Sequence, residues 1–242
     1  MNRITKKELE IFYGGTEQAT HSKKLSLVLT EAIFLHNPFL TIKKTMHLEY
    51  LVALRQMHGN KGLLVQDNQQ LIGMPLCSQE GDFLITSCKN VGLAILTADC
   101  LPLIFWDSRQ DIIANVHAGW RGSIALIVQM VVERMQNSFG TKVKNLEVFF
   151  GPCAKICCYE VKEDFIKQTQ HDLHAQYSLS KRGKEWYFDI VKYNKFKLQK
   201  LGIPLSALHF ENNHCTMCSP GYCSFRKQEI KINRNITIVS LK

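Results

Sequence analysis

Two short segments hold the residue types that metalloenzymes and thiol enzymes use. Thr97-Ala98-Asp99-Cys100-Leu101-Pro102 follows a short apolar run, and Asn115-Val116-His117-Ala118-Gly119-Trp120-Arg121-Gly122 closes another. Cys100 stands where side chains leave a strand end for a cleft, and Gly119 and Gly122 allow close backbone approach. A cysteine and a histidine delivered to one sheet edge can form a thiolate–imidazolium nucleophile. With one more ligand they instead make a three-ligand zinc site that keeps an open position. His58, in Gln56-Met57-His58-Gly59, is the candidate for that ligand, because catalytic zinc takes neutral imidazoles and thiolates from separated elements. Asp99 is placed to orient a ligand from behind. On residue types alone both chemistries stay open, as does a third reading in which all three side chains are simply buried.

The elements that must position these residues are legible from residue 81 onward. Phe83 to Ser87, Gly92 to Thr97, Leu103 to Trp106 and Ile112 to His117 are short apolar runs of buried-strand length, with Pro102 expected to interrupt pairing between the second and third. Ile124, Ile127, Val128, Val131, Val132 and Met135 then fall on one helical face, with Ser123 as the expected cap and Gly140 just past the end. Leu146 to Phe150 and Trp186 to Ile190 read as strands, Val191 to Leu201 as a helix, and Ala207 to Phe210 and Ile236 to Leu241 as late strands. The alternation predicts a mixed α/β fold, one domain over 1–242 with an unpatterned stretch at 1–50.

Of the 242 residues 45% are hydrophobic and 21% charged, a balance that excludes a disordered or collagen-like chain. Nine cysteines cannot all pair within the chain, and the charged N-terminus has no apolar leader, so the expectation is a cytoplasmic protein with reduced thiols. No apolar stretch approaches the roughly 18 residues of a membrane span. The net charge of +9 invites nucleic acid, but the lysines are dispersed and no basic run carries the interleaved aromatics of an RNA-binding strand. The charge fits a small anionic co-substrate instead.

The three motifs resemble the signature motifs of the YfiH-like family, also called the multicopper polyphenol oxidoreductase or laccase-domain family. The likeness continues through Gly151-Pro152, Tyr159-Glu160-Val161, Phe188-Asp189-Ile190, Cys215-Thr216 and Ser224-Phe225-Arg226-Lys227, and so covers about residues 56–240. It implies that His58, Cys100 and His117 hold zinc, and that the substrates are purine nucleosides and phosphate. The activities implied are phosphorolysis of adenosine, inosine and methylthioadenosine, and adenosine deamination. Other family members imply a polyphenol oxidase or an amidase that edits a cytoplasmic peptidoglycan precursor. The implied fold is a mixed α+β sandwich similar to the deamidase domain of cytotoxic necrotizing factors, which keeps a metal-free Cys100–His117 hydrolase in view.

Chemistry narrows this set. A laccase needs many histidines, often as His-x-His pairs, and this chain has nine histidines and no such pair. Zinc is therefore expected over copper. Zinc activation of water suits attack on adenine, with a carboxylate moving the proton, and Glu160 is the proton carrier expected here. Phosphorolysis needs an anion subsite, for which Arg121 is the main candidate, with Gln56 and Arg226 as further substrate contacts. Cys215, Cys218 and Cys223, beside His214, are compatible with a second, structural metal; Cys153, Cys157 and Cys158, after Gly151-Pro152, could reach the same region but read rather as buried free thiols.

Overall fold

A computed structural model describes residues 2–6, 8–15, 20–21, 38–227 and 233–242. Its first sheet runs β1 (Asn2–Lys6), β2 (Leu9–Gly14), β15 (Asn233–Leu241), β7 (Val91–Thr97), β4 (Tyr50–Ala53), with β3 (Thr20–His21) also on β15. The second runs β14 (Leu208–His209), β10 (Leu146–Phe150), β8 (Leu101–Asp107), β9 (Ile112–Ala118), β6 (Phe83–Thr86), β5 (Gly62–Val65). A smaller ribbon joins β11 (Glu160–Val161), β13 (Glu185–Phe188) and β12 (Leu179–Arg182).

Successive strand residues point to opposite faces, and in the central strands both faces are covered. Leu9, Ile11, Leu93 and Val239 of the first sheet meet Leu84, Ile104, Ile113 and Phe149 of the second. Leu103, Phe105, Ala114 and Val116 face the other way, against Val128, Val131 and Met135 of α3 (Ile127–Phe139) and Tyr193 and Leu198 of α6 (Ile190–Lys200). The outer face of the first sheet, with Ala94, Ile236 and Ile238, is closed by Phe39, Ile42 and Met46 of α1 (Pro38–Thr45). The result is a mixed α/β sandwich, and double burial explains why its strands read as unbroken apolar runs. Asn115 ties the sheets together: its buried amide donates from β9 to the carbonyls of Leu93 (2.8 Å) and Thr237 (2.9 Å) on the facing sheet.

Three local expectations change. The runs at 92–97 and 103–106 never pair, because the turn at 98–100 carries the chain from one sheet to the other. Pro102 lies inside β8 opposite His117, and its carbonyl accepts from Gly151 at the end of β10, where the ladder is already finishing. The strand expected through Ile190 stops at Phe188, since Asp189 caps α6 by accepting from the Lys192 N–H. The helix expected from Ile124 is two helices, α2 (Trp120–Ile124), capped at Gly119, and α3. Ser123 is buried inside α2 and accepts from Asn194 on α6, so its hydroxyl serves packing rather than capping.

Leu126 makes the break with φ 61°, a left-handed backbone that costs a branched residue about 1–2 kcal/mol. Its side chain is exposed, so Leu126→Gly should raise stability by about 0.5–1 kcal/mol after the entropic cost of glycine. Urea denaturation of the two proteins checks this. Two short helices, α4 (Glu163–Thr169) and α5 (Leu173–Tyr177), complete the described chain.

Candidate active site

His58, Cys100 and His117 arrive from three different places: the loop after β4, the turn between the two sheets, and the end of β9. Their donor atoms all lie within 4.8 Å of one another, with 4.0 Å between Cys100 Sγ and His58 Nδ1. The two imidazoles meet edge to face at 4.7 Å. His58 (φ 60°) and Asp99 (φ 87°) both have positive φ, so backbone strain flanks two of the three donors, as is common where a site dictates the conformation.

The residue that organises this geometry is Asp82, just before β6, which the motifs do not mark. Its Oδ1 accepts from the His58 N–H (2.9 Å) and from His117 Nδ1 (2.8 Å). Its Oδ2 accepts from the N–H groups of Gly59 (2.7 Å) and Met57 (3.3 Å). One carboxylate thereby wraps the His58 turn around itself and fixes the His117 ring, presenting its other nitrogen toward Cys100. The only sequence signal is an acid placed directly before the apolar run Phe83-Leu84-Ile85.

Charge follows geometry. Burial opposes ionisation of the Cys100 thiol, but the charge and hydrogen bond of His117, joined by His58, pull it well below the ordinary thiol value. Burial likewise disfavours the His117 imidazolium, yet the charge of Cys100 and the hydrogen bond to Asp82 push it up to about 9. Burial raises the Asp82 carboxyl too, and the bonds from His117 and Gly59 more than offset this and hold it low. Without a metal the centre is a thiolate–imidazolium–carboxylate row.

The other expected site residues are spread more widely. Gln56 lines the cavity, but its amide is spent on β7, donating to the Leu96 carbonyl (2.7 Å) and accepting its N–H (2.8 Å). Asp99 turns away from both histidines: its carboxylate accepts from Thr216 Oγ1 (2.7 Å), Ser224 Oγ (3.0 Å) and the Arg226 N–H (2.9 Å). Glu160 does not line the cavity. Its carboxylate pairs with Lys162, whose hydrogen bond keeps it low, while its carbonyl holds the Arg226 guanidinium (2.5 Å). Arg121 stacks on Trp120 and Arg226 on Tyr159, both at the cavity.

That cavity measures about 890 Å³, and the three donors lie in its wall. Arg55 and Arg234 join Arg121 and Arg226 around it, and Trp120, Tyr159 and Phe225 supply aromatic surface. Motif reading misses Arg55 and Arg234 because each lies just outside a segment it marks, Arg55 before Gln56-Met57-His58-Gly59 and Arg234 before the run Ile236 to Leu241. Gly119 keeps the centre open: a Cβ there would sit 3.1 Å from both Cys100 Sγ and His58 Nδ1. A space that one methyl would fill, bounded by one thiol and two imidazoles, fits a single metal ion with a further position toward the cavity.

A sandwich with a cysteine–histidine centre opening on an arginine-rimmed cavity defines an enzyme rather than a basic binding module. Residues 36–242 match the family model described as multi-copper polyphenol oxidoreductase laccase, and the chain belongs to that family. It is 35% identical over 178 residues to a purine nucleoside phosphorylase of Borreliella burgdorferi, covering 72% of each chain. It is 27% identical over 205 residues to an adenosine deaminase, RL5, from an unknown prokaryotic organism, covering 82% of this chain and 78% of that one. In fold it is similar to the crystal structure of YfiH from Bacillus licheniformis, with a TM-score of 0.82 at 21% identity over 97% of this chain and 93% of that one.

Proposed function

We propose that this chain is a zinc-dependent purine nucleoside enzyme, which cleaves adenosine, inosine and methylthioadenosine with phosphate and also deaminates adenosine. The observation that carries this reading is the meeting of His58, Cys100 and His117 in the wall of a cavity lined by four arginines. The names of the relatives supply the substrate class. Zinc bound by these donors supplies Lewis acidity at the open position.

The chain's own residues do the rest. Asp82 keeps the His117 proton on Nδ1, leaving the other nitrogen free as a ligand. Trp120 and Phe225 offer flat apolar surfaces to a purine, and Arg121 and Arg226 bind phosphate. Gln56 and Asp99 fix the strand ends that carry the donors, and Glu160 acts through its carbonyl on Arg226. A four-copper centre would need further histidines, and among the described residues only His58 and His117 group with Cys100. Among those residues no helix is long and apolar enough to cross a membrane, and with nine free thiols this supports a cytoplasmic location.

Purified protein incubated with adenosine should give adenine and ribose 1-phosphate when phosphate is present, and inosine without it. Its zinc should fall in Cys100→Ala. Zinc-loaded protein that gives neither product overturns the assignment. The thiolate–imidazolium pair favours one second reading, a Cys100 hydrolase or amidase, which predicts activity that survives full metal removal.

The arginines separate the two nucleoside activities. A charge-assisted bond to phosphate contributes about 1.5–3 kcal/mol, so Arg121→Ala or Arg226→Ala should lower kcat/KM for phosphate by about 10- to 150-fold. Deamination, which consumes water, should change far less. Initial rates at varied phosphate measure both.

A further inference from the structure

Four cysteines outside the active-site triad converge on one point. Cys157 and Cys158 come from the segment after β10, and Cys215 and Cys218 from the loop before β15. Their sulfur atoms all lie within 4.8 Å of one another, with Cys157 at 3.5 Å from Cys215 and from Cys218, and Cys158 at 2.9 Å from Cys218. The membership differs from the sequence expectation. Cys223 is buried elsewhere, its N–H on Asn235, and Cys153 packs against the Asn213 amide.

We infer that Cys157, Cys158, Cys215 and Cys218 form a second, structural metal site that binds one zinc ion as a tetrathiolate. Zinc–sulfur bonds of about 2.3 Å in a tetrahedron place the sulfurs about 3.8 Å apart, the middle of the range found here. A disulfide needs about 2.0 Å, and all four thiols are free. Disulfide formation would draw sulfurs into pairs, whereas here each sulfur lies close to all three others, as one central ion requires.

The surroundings suit the charge. Four thiolates around a divalent ion leave two negative charges, and three cations are anchored in the same loops. Arg182 donates to the carbonyls of Ile156 (3.0 Å) and Cys157 (3.1 Å), Lys155 to that of Asn213 (3.0 Å), and Lys227 to that of Met217 (3.3 Å). Cys157 and Cys218 are exposed, which gives an ion a path from solvent.

The site has a structural task. The two loops also meet through a parallel bridge, in which Cys153 N–H donates to the His214 carbonyl (3.1 Å) and Thr216 N–H to that of Cys153 (3.0 Å), and through the Asn213 amide on the Gly151 carbonyl (2.6 Å). Thr216 is one of three residues, with Ser224 and Arg226, that hold the carboxylate of Asp99, next to Cys100. An ion clamping the loops thus fixes the floor of the active-site turn without joining its chemistry.

The test does not depend on which reaction the enzyme performs. Full-length protein produced with zinc and without chelator should carry two zinc ions per chain by mass spectrometry of the metal. Cys100→Ala should remove one, and Cys157→Ser/Cys218→Ser should remove the other while keeping the Cys100-dependent ion. Should the double variant fail to fold, cobalt substitution of Cys100→Ala gives the second readout, since a tetrathiolate produces intense sulfur-to-cobalt charge transfer that one or two thiolates do not. Zinc-saturated wild type that holds no metal beyond the Cys100-dependent ion overturns the inference. So does non-reducing peptide mapping that finds these four cysteines in disulfides.

Discussion

Asp82→Asn is expected to lower activity and affinity for the active-site metal together, by at least about 10- to 100-fold, the usual cost of losing the carboxylate behind a ligating histidine. The amide cannot serve all four donors that the carboxylate accepts. With its oxygen toward His58 and His117, its NH₂ confronts the N–H groups of Met57 and Gly59. With the amide flipped, the NH₂ faces His117 Nδ1, which must then accept, and the proton moves to the nitrogen needed for the metal. Either orientation leaves a buried donor without a partner, a further cost of about 1–3 kcal/mol in stability. Metal titration and chemical denaturation of the variant measure the two effects separately, and wild-type metal affinity with a wild-type pH profile would remove Asp82 from its organising role.

The same substitution carries a pH signature in metal-free protein. His117 is raised from 6.5 to about 9 in the fold, so its ionised form stabilises the protein fully below about pH 6.5. That contribution is lost as pH rises through about 9. Asp82 is lowered, and its share is present above the ordinary carboxylate range and lost as pH falls. Cys100 shifts the other way, from 9 to about 6, so its share grows as pH rises over the same interval and offsets that of His117. Stability of the chelator-treated wild type should therefore be nearly level from pH 6.5 to 9. In Asp82→Asn, where His117 loses a group that raises it, the level interval should end at lower pH.

Gly119→Ala should abolish metal binding at the active site and reduce activity by about 100-fold or more, while leaving the fold intact. The backbone at Gly119 has φ −68° and ψ 166°, which alanine adopts without strain. What alanine cannot avoid is its own methyl, 3.1 Å from Cys100 Sγ and His58 Nδ1 in the space between the donors. The donors must give way by a few tenths of an ångström and the methyl takes the space the ion would occupy, which together are enough for a loss of that size. Calorimetry should show a melting transition close to that of metal-free wild type, alongside absent zinc. An alanine variant with full metal and full activity would show that the ion does not sit between these donors.

Much of this enzyme is written locally. The apolar runs that become β6, β7, β8 and β9, and the turn types that end them, follow from burial and backbone preference at each position. His58, Cys100 and His117 stand out in the sequence because each sits in a short motif that resembles the family's, while their residue types alone leave a zinc site, a thiol nucleophile and plain burial open. Other features have no local signature. β1 and β2 pair with each other, but what builds them into the sheet is β15 from the opposite end of the chain, Leu9 against Leu241. The split at Leu126 is hidden because packing of α2 and α3 overrides an unbroken helical periodicity.

Asp82 acquires its role only when β6 is laid beside β9, which brings a carboxylate to a histidine 35 residues away. The four-cysteine group depends on the bridge between Cys153 and Cys215, and so escapes any reading of Cys-x-x-Cys alone. The sequence by itself determined which side chains could do chemistry, because reactivity belongs to residue type and immediate neighbours. The tertiary structure alone decided which of them act together, because hydrogen bonds and metal bonds form over a few ångströms of space and take no account of distance along the chain.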